Sequence, residues 1–155
     1  MDSTPPEVIA AIENANLVTD YFGSWPHFED AEILSLQFDR GNHMKIIKTG
    51  AWPERMPESL TVKLYCGKHV SGDLSQKKSA LITIRFHQFG RFKMDGFNYQ
   101  NPIVELAIIW EYSENAKKNL FAVDWGGTAI RHDVSFTCER IEVLAVESVA
   151  ENSPS

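Results

Sequence analysis

Apolar and polar residues alternate through repeated short segments of the chain, and this period of two constrains the fold more than any other feature. Successive side chains of a β-strand point to opposite faces, so such alternation is typical of strands that bury one face. The pattern predicts a β-rich protein. The apolar positions of the five clearest segments are 34/36/38, 60/62/64, 82/84/86, 104/106/108 and 121/123/125.

A further segment changes its parity part-way along. Its apolar residues first occupy positions 134, 136 and 138, and then positions 141, 143 and 145. One extra residue in a strand moves its side chains to the other face. The change predicts a bulge or bend near residues 139–140.

The connections between these segments are too short to hold crossover helices, which favours antiparallel pairing. A short return strand is predicted over Met44–Lys48. Val104–Trp110 is partly apolar on both faces, which predicts a central strand. We therefore predict a mostly β (α+β) fold, with a single antiparallel sheet of about seven strands and one or two short N-terminal helices.

Helical signals are confined to the N-terminal end. Thr4 and Glu7 have the spacing of a capping box, which predicts that Thr4 caps a helix. Leu17–Phe22 resumes the helical pattern. Gly23 is a predicted C-cap, and Pro26 prevents continuation of the helix.

The length of 155 residues favours one domain. We assign it to residues 1–149, with residues 150–155 as a flexible tail.

Cys66 and Cys138 occupy alternating strand positions, which favours buried free thiols, although a disulfide between them stays open. The sequence has neither a signal-peptide pattern nor a long apolar run, so we expect a cytoplasmic protein without membrane contact. Nothing in the sequence indicates the oligomeric state.

The formal net charge is -6 and the pI is about 5.3. This argues against nucleic-acid binding, which requires clustered lysines and arginines. The acidity serves solubility in one interpretation. In the other, it favours association with a basic partner.

The segment from Tyr21 to Ile33 reads YFGSWPHFEDAEI and holds a dense group of aromatic and acidic residues. His27, Glu29, Asp30 and Glu32 are candidate metal ligands. However, neighbouring residues of an extended chain face opposite sides, so only Asp30 and Glu32 would share a face. Two carboxylates make a poor transition-metal site. We therefore expect no metal and no cofactor.

Catalytic motifs are missing from the sequence. It contains no GxSxG motif, and neither cysteine has a recognisable catalytic context. Gly126-Gly127 ends a strand and lacks the lysine of a phosphate loop. A glycosidase-like carboxylate pair could be drawn from Glu29, Asp30, Glu105, Glu111 and Asp124, but sequence alone does not bring any two of them together. We expect no enzymatic activity. The alternative is a small β-rich ligand-binding domain or enzyme that uses carboxylates near Asp30.

Three segments resemble the bacterial immunity protein 50 family. FGSWPHFEDAEI over Phe22–Ile33 is similar to that family's FGxWPxFHDAEI/V signature, with Glu29 where the family more often has His. Phe97–Asn101 (FNYQN) resembles its FNxQN segment. Phe121–Gly126 and Ser135–Cys138 are similar to its C-terminal strands. The resemblance covers roughly Leu17 to Val146.

The resemblance implies a mostly β cytoplasmic protein that binds and neutralises a co-encoded bacterial toxin, without enzymatic activity. The acidity adds the expectation that the toxin is basic. We expect Phe97 and Tyr99 to serve as partner-binding anchors, with Glu29 and Asp30 as charged contacts. Structural roles are expected for three further residues: Trp25, Phe28 and Trp125. Trp25 and Phe28 would fix the helical entry onto the sheet.

Overall fold

The computed structural model describes residues 4–29, 31–40, 48, 50, 58–67, 78–95, 106–126 and 133–149. In this part of the chain, two short helices precede eight strands. The helices are α1 (Pro6–Ile9) and α2 (Asn16–Phe22). The strands are β1 (Glu32–Asp39), β2 (Ser59–Cys66), β3 (Ala80–His87), β4 (Gly90–Asp95), β5 (Ala107–Ser113), β6 (Lys118–Asp124), β7 (Asp133–Cys138) and β8 (Arg140–Ser148).

The described strands form two antiparallel sheets of four strands each. The first sheet has the order β1-β2-β3-β8 and the second has the order β4-β7-β6-β5. The mostly β, antiparallel fold with two short N-terminal helices is therefore confirmed, but the strands divide between two sheets instead of forming one. The predicted strand Met44–Lys48 lies outside the described residues except for Lys48, which is helical. The tail over residues 150–155 also lies outside them.

Two long strands pass from one sheet into the other. β3 and β4 are separated by Gln88 and Phe89, and β7 and β8 are separated by Glu139 alone. β3 pairs with β8, and β4 pairs with β7. The backbone N–H of Glu139 donates to the carbonyl of His87 at 3.0 Å. The two strands therefore stay paired while both bend, and we call this pair the bent ribbon. It confirms the predicted change of parity near residues 139–140.

β4 was missed by the sequence analysis. Its apolar residues Phe92 and Met94 alternate as expected for a strand, but they follow Gly90 closely and there are just two of them. Met94 is also exposed, at 42% of its surface. β4 forms because its backbone pairs with β7 along the ribbon. Such pairing cannot be recognised from the hydrophobic pattern of β4 alone.

The core lies between the two sheets and is rich in aromatic rings. Phe86 of β3 meets Phe136 of β7 edge-to-face, with ring centroids 4.9 Å apart. Trp125, which follows β6, packs against the same Phe136 at 5.4 Å. All three side chains are at least 97% buried. Large aromatic side chains bury the most apolar area per residue, so this cluster is a main source of cohesion between the sheets.

The buried face of β1 starts one residue earlier than the sequence predicts. The pairing of β1 with β2 shifts register between Ile33 and Ser35. Ile33 is buried, whereas Leu34 is 50% exposed. Leu36 and Phe38 then return to the inner face, opposite core residues of β2. Placing Leu34 on the buried face was therefore wrong, because a β-bulge changes the parity of the strand by one residue.

β5 is an edge strand of the second sheet within the described residues, so the prediction of a central strand over Val104–Trp110 was wrong. That prediction depended on apolar residues on both faces. Ile108 is fully buried, but Ile109 on the opposite face is 47% exposed. The exposed apolar residue Ile109 therefore gave an edge strand the two-sided apolar pattern that is typical of a central strand.

Thr4 binds the edge of β5 and does not cap a helix. α1 has Pro5 at its N-cap position, without a side-chain capping hydrogen bond. The Thr4 hydroxyl instead donates to the carbonyl of Leu106 at 3.4 Å and accepts from the N–H of Ile108 at 3.3 Å. The predicted capping role was therefore wrong. The hydroxyl satisfies backbone groups that an edge strand would otherwise leave unpaired.

The segment between the helices covers the outer edge of β8. The backbone N–H of Glu13 donates to Ile141 at 2.8 Å, and its carbonyl accepts from Val143 at 2.9 Å. Arg140 reaches the Glu13 carboxylate through two nitrogens, at 2.7 and 2.8 Å. These hydrogen bonds hold the pKa of Glu13 below its usual value. The pair therefore contributes at neutral pH and is lost as the pH falls through that lowered pKa.

α2 ends where the sequence predicts. Gly23 follows its last residue, Phe22, in a left-handed conformation with φ of 86°. This conformation suits glycine, which carries no Cβ. The predicted C-cap is therefore confirmed. Within the described residues, no helix has the length and apolar character needed to cross a membrane.

Cys66 and Cys138 are buried free thiols, as predicted. Burial raises the pKa of the Cys66 thiol to about 12. It also raises the pKa of Cys138. Because the thiolate is the reactive form, both cysteines should be inert in the folded protein.

Replacing Phe86 by Ala should lower the free energy of unfolding by about 3–5 kcal/mol, the usual cost of truncating a buried phenylalanine. Phe38→Ala is the matched control, because Phe38 belongs to a neighbouring aromatic cluster but is 49% exposed. It should cost less than about 2 kcal/mol, since less apolar area is lost. Urea melts of both variants test this, and equal losses would contradict a core centred on Phe86.

Candidate functional site

The Tyr21–Ile33 segment forms a corner between the helices and both sheets. Trp25 packs edge-to-face on Phe28, with ring centroids 5.5 Å apart. Phe28 is fully buried and has a left-handed backbone with φ of 61°. Its carbonyl accepts from the N–H of Ala31 at 3.0 Å, and the carbonyl of His27 accepts from Leu106 at 3.1 Å. The segment thus leads into β1 of the first sheet while its backbone binds the residue before β5.

The carboxylates of this segment do not assemble into a described site. Glu29 is exposed, Glu32 is half-buried, and Asp30 lies outside the described residues. Among the described residues, no group of three His, Cys, Asp or Glu side chains could hold a metal ion. What the structure shows for this segment is the packing of its aromatic residues Trp25 and Phe28.

The remaining predicted residues are Phe97, Tyr99 and Trp125. Phe97 and Tyr99 lie outside the described residues, so the structure does not place the predicted anchors. Trp125 is in the core, where it packs between Phe86 and Phe136. Its backbone N–H donates to the carbonyl of Val134 at 3.0 Å. Trp125 is therefore a buried core residue.

A concavity of about 420 Å³ lies on the outer face of the second sheet. Its floor consists of small side chains from three neighbouring strands: Ala107, Ala122, Ser135 and Thr137. The residues that alternate with them, such as Ile108, Val123 and Phe136, point into the core. We call this concavity the outer groove.

The two rims of the outer groove differ in chemistry. Arg91 and Lys93 of β4 form one rim, and Ile109 and Glu111 of β5 form the other. β4 and β5 lie at opposite edges of the described sheet, three strand spacings apart. At about 4.8 Å per spacing, the backbones of the rims are about 14 Å apart.

A β-bulge shapes the basic rim. The pairing of β4 with β7 shifts register between Gly90 and Lys93. Arg91, within the shift, has φ of 51°, which is unusual for a residue with a Cβ. The hydroxyl of Thr137 donates to the carbonyl of Gly90 at 3.4 Å and fastens the start of the bulge. Bulges commonly redirect side chains next to binding sites.

Asp124 lies in the floor of the outer groove and anchors the end of β6. Its carboxylate accepts from the N–H of Gly126 at 3.0 Å. Asp124 is opposite Ala107, four residues before Glu111 on β5. At about 3.4 Å per residue, the Cα atoms of the two acidic residues are about 14 Å apart. The carboxyl groups of a glycosidase pair lie within about 10 Å of each other. The Asp124 carboxylate is bound to Gly126, on the side away from Glu111, so this geometry does not favour such a pair.

Two large aromatic side chains are exposed on the other face of β5, on the same side of the strand as Ile108. Tyr112 of β5 is 58% exposed, and Trp110 is 36% exposed while its ring stacks on Phe121 at 4.3 Å. Trp110 and Tyr112 lie on the face of β5 opposite Ile109, since side chains alternate along a strand, and we call these two residues the apolar strip. Surfaces of this kind commonly mark sites of protein association.

The outer groove was not predicted from the sequence. Its lining depends on the pairing order β4-β7-β6-β5, which differs from the chain order, and its floor residues are small ones that occur throughout any β protein. Comparison with protein-family models, with curated proteins and with solved structures gives no match.

Trp25→Ala should lower the free energy of unfolding by about 3 kcal/mol, because the indole packs on Phe28 where the chain enters the first sheet. Glu29→Ala, at an exposed position in the same segment, is the control and should change it by less than about 0.5 kcal/mol. Denaturant melts measure both. A loss below about 1 kcal/mol for Trp25→Ala would contradict a structural role for this indole.

Proposed function

We propose that the protein is an immunity protein that binds a co-encoded bacterial protein toxin and neutralises it by steric blocking. The resemblance of the Phe22–Ile33 segment to an immunity-protein family motivates this proposal. The structural observation that supports it best is the apolar strip of Trp110 and Tyr112, exposed on the edge strand β5.

The apolar strip has the composition of a protein interface. Tryptophan and tyrosine are enriched among the residues that carry most of the binding energy at interfaces. Trp110 is held in place by its stack on Phe121, so little conformational freedom is lost when it is covered. Tyr112 is more exposed and offers both a ring and a hydroxyl.

The net charge of -6 supports a basic toxin as the partner. Opposite net charges accelerate encounter in a salt-dependent manner. Glu29, which is exposed, and Asp30 are the proposed charged contacts, and Phe97 and Tyr99 are the proposed anchors. Asp30, Phe97 and Tyr99 lie outside the described residues. Neutralising a toxin in the cell that makes it requires nanomolar affinity or better, about -12 kcal/mol. We place this activity in the cytoplasm, where both cysteines would stay reduced.

A ligand-binding domain or enzyme using carboxylates near Asp30 is the alternative. It would be favoured by a pocket lined by Asp30, Glu32 and a histidine. The concavity of about 420 Å³ lies instead on the outer face of the second sheet and has different lining residues. Because Asp30 lies outside the described residues, the preference for a protein partner rests on the exposed aromatic side chains of β5.

Co-purification with the product of the neighbouring gene tests the proposed function. We expect a stable complex, and we expect co-expression to restore the growth of cells that make that product. Association measured by stopped flow should slow as salt rises, because screening weakens the attraction between the net charges. Failure to bind at micromolar concentrations, together with failure to protect cells, would contradict the proposal.

Tyr112→Ala should raise the dissociation rate of this complex at least tenfold, the loss of about 1.4 kcal/mol expected for an interface anchor. Leu17→Ala is the control, because Leu17 is a comparably exposed apolar residue on α2. Its dissociation rate should match that of the unmodified protein. Equal dissociation rates for Tyr112→Ala and the unmodified protein would show that Tyr112 is not an anchor of the interface.

A further inference from the structure

We infer that the outer groove binds an acidic segment of the partner protein, whose Asp or Glu side chains pair with Arg91 and Lys93. This inference rests on the proposed function, since it names the surface and the chemistry by which the toxin would be held. The net charge of -6 alone would favour a basic surface on the partner, whereas the two cations at the groove attract carboxylates.

Two adjacent cations on the basic rim are available for this contact. The side chains of Arg91 and Lys93 form no ion pair or hydrogen bond within the described part of the chain, and both residues are exposed. Other cations are engaged: Lys118 pairs with Glu139, and Arg140 pairs with Glu13. A rim with two unengaged positive charges complements a carboxylate-bearing surface.

The bulge at Gly90–Lys93 gives these charges a fixed direction. Both side chains line the same concavity, while Phe92 between them packs inward on Phe136 at 5.8 Å. The Phe92 ring therefore anchors the strand from the inside. The cations are thus presented by a held backbone, which lowers the ordering cost of binding.

The width of the groove indicates a polypeptide segment as the occupant. Arg91 and Lys93 lie across the sheet from exposed Ile109, with about 14 Å between the two strands. An extended chain advances about 3.4 Å per residue, so about four residues span this distance. A segment that crosses the groove can place a carboxylate on the basic rim and an apolar side chain on Ile109. The small floor residues Ala122 and Thr137 allow its backbone to approach the sheet.

Charge reversal at Lys93 separates this contact from the effect of net charge. Lys93→Glu and its control Lys63→Glu both change the net charge from -6 to -8. Lys63 is exposed on β2, in the first sheet. We expect Lys93→Glu to raise the dissociation rate of the complex with the neighbouring-gene product at least tenfold. Lys63→Glu should leave dissociation unchanged and, with a basic partner, slightly accelerate association.

Zero-length crosslinking tests the chemistry of the occupant in the unmodified protein. A water-soluble carbodiimide activates a carboxylate, and the amine of Lys93 then displaces the urea to form an amide bond. Mass spectrometry of the crosslinked complex should show Lys93 joined to an Asp or Glu of the partner. Lys63 should give no such product.

The outcomes distinguish this inference from the proposed function. A complex that forms normally with Lys93→Glu, and that gives no crosslink at Lys93, would overturn the inference and leave the immunity function standing. Tighter binding by Lys93→Glu would also overturn it, since net charge alone would then explain the attraction. Absence of any complex with the neighbouring-gene product would contradict the immunity function and, with it, the inference.

Discussion

The antiparallel pairing of β3–β4 with β7–β8 determines how the rest of the molecule is arranged. These strands run through both sheets and bend together, where Glu139 donates to His87 at 3.0 Å. The bend places Phe86 of one sheet against Phe136 of the other, at 4.9 Å. Burial of these rings stabilises the two-sheet arrangement. The same ribbon supplies β4 and β7, which carry the basic rim and part of the floor of the outer groove.

The N-terminal segment completes the structure by covering strand edges. Thr4 binds the backbone of β5, and Glu13 pairs with β8, so a segment of about ten residues contacts both sheets. The Trp25–Phe28 corner then carries the chain into β1. These contacts join groups distant in sequence through backbone hydrogen bonds and a few aromatic rings. Edge coverage of this kind also protects strands from unwanted pairing.

The fold was more predictable from the sequence than the surface. Alternation identified the cores of β2, β3 and β6, and the parity change located the bend, because both depend on local spacing. The sequence did not reveal the division into two sheets, since a bent strand has the same hydrophobic pattern as a straight one. It also placed β5 in the centre of a sheet, because Ile109 is apolar although exposed. The groove depends on the cross-strand register of four strands, which no local pattern encodes.

The central claim is that the partner meets the second sheet at its outer groove and along its exposed edge strand β5. Hydrogen exchange measured with and without the neighbouring-gene product tests it most directly. The account predicts added protection in the peptides that contain β4 and β5, and unchanged exchange in those that contain β2. Added protection confined to the first sheet, with β4 and β5 unchanged, would contradict it.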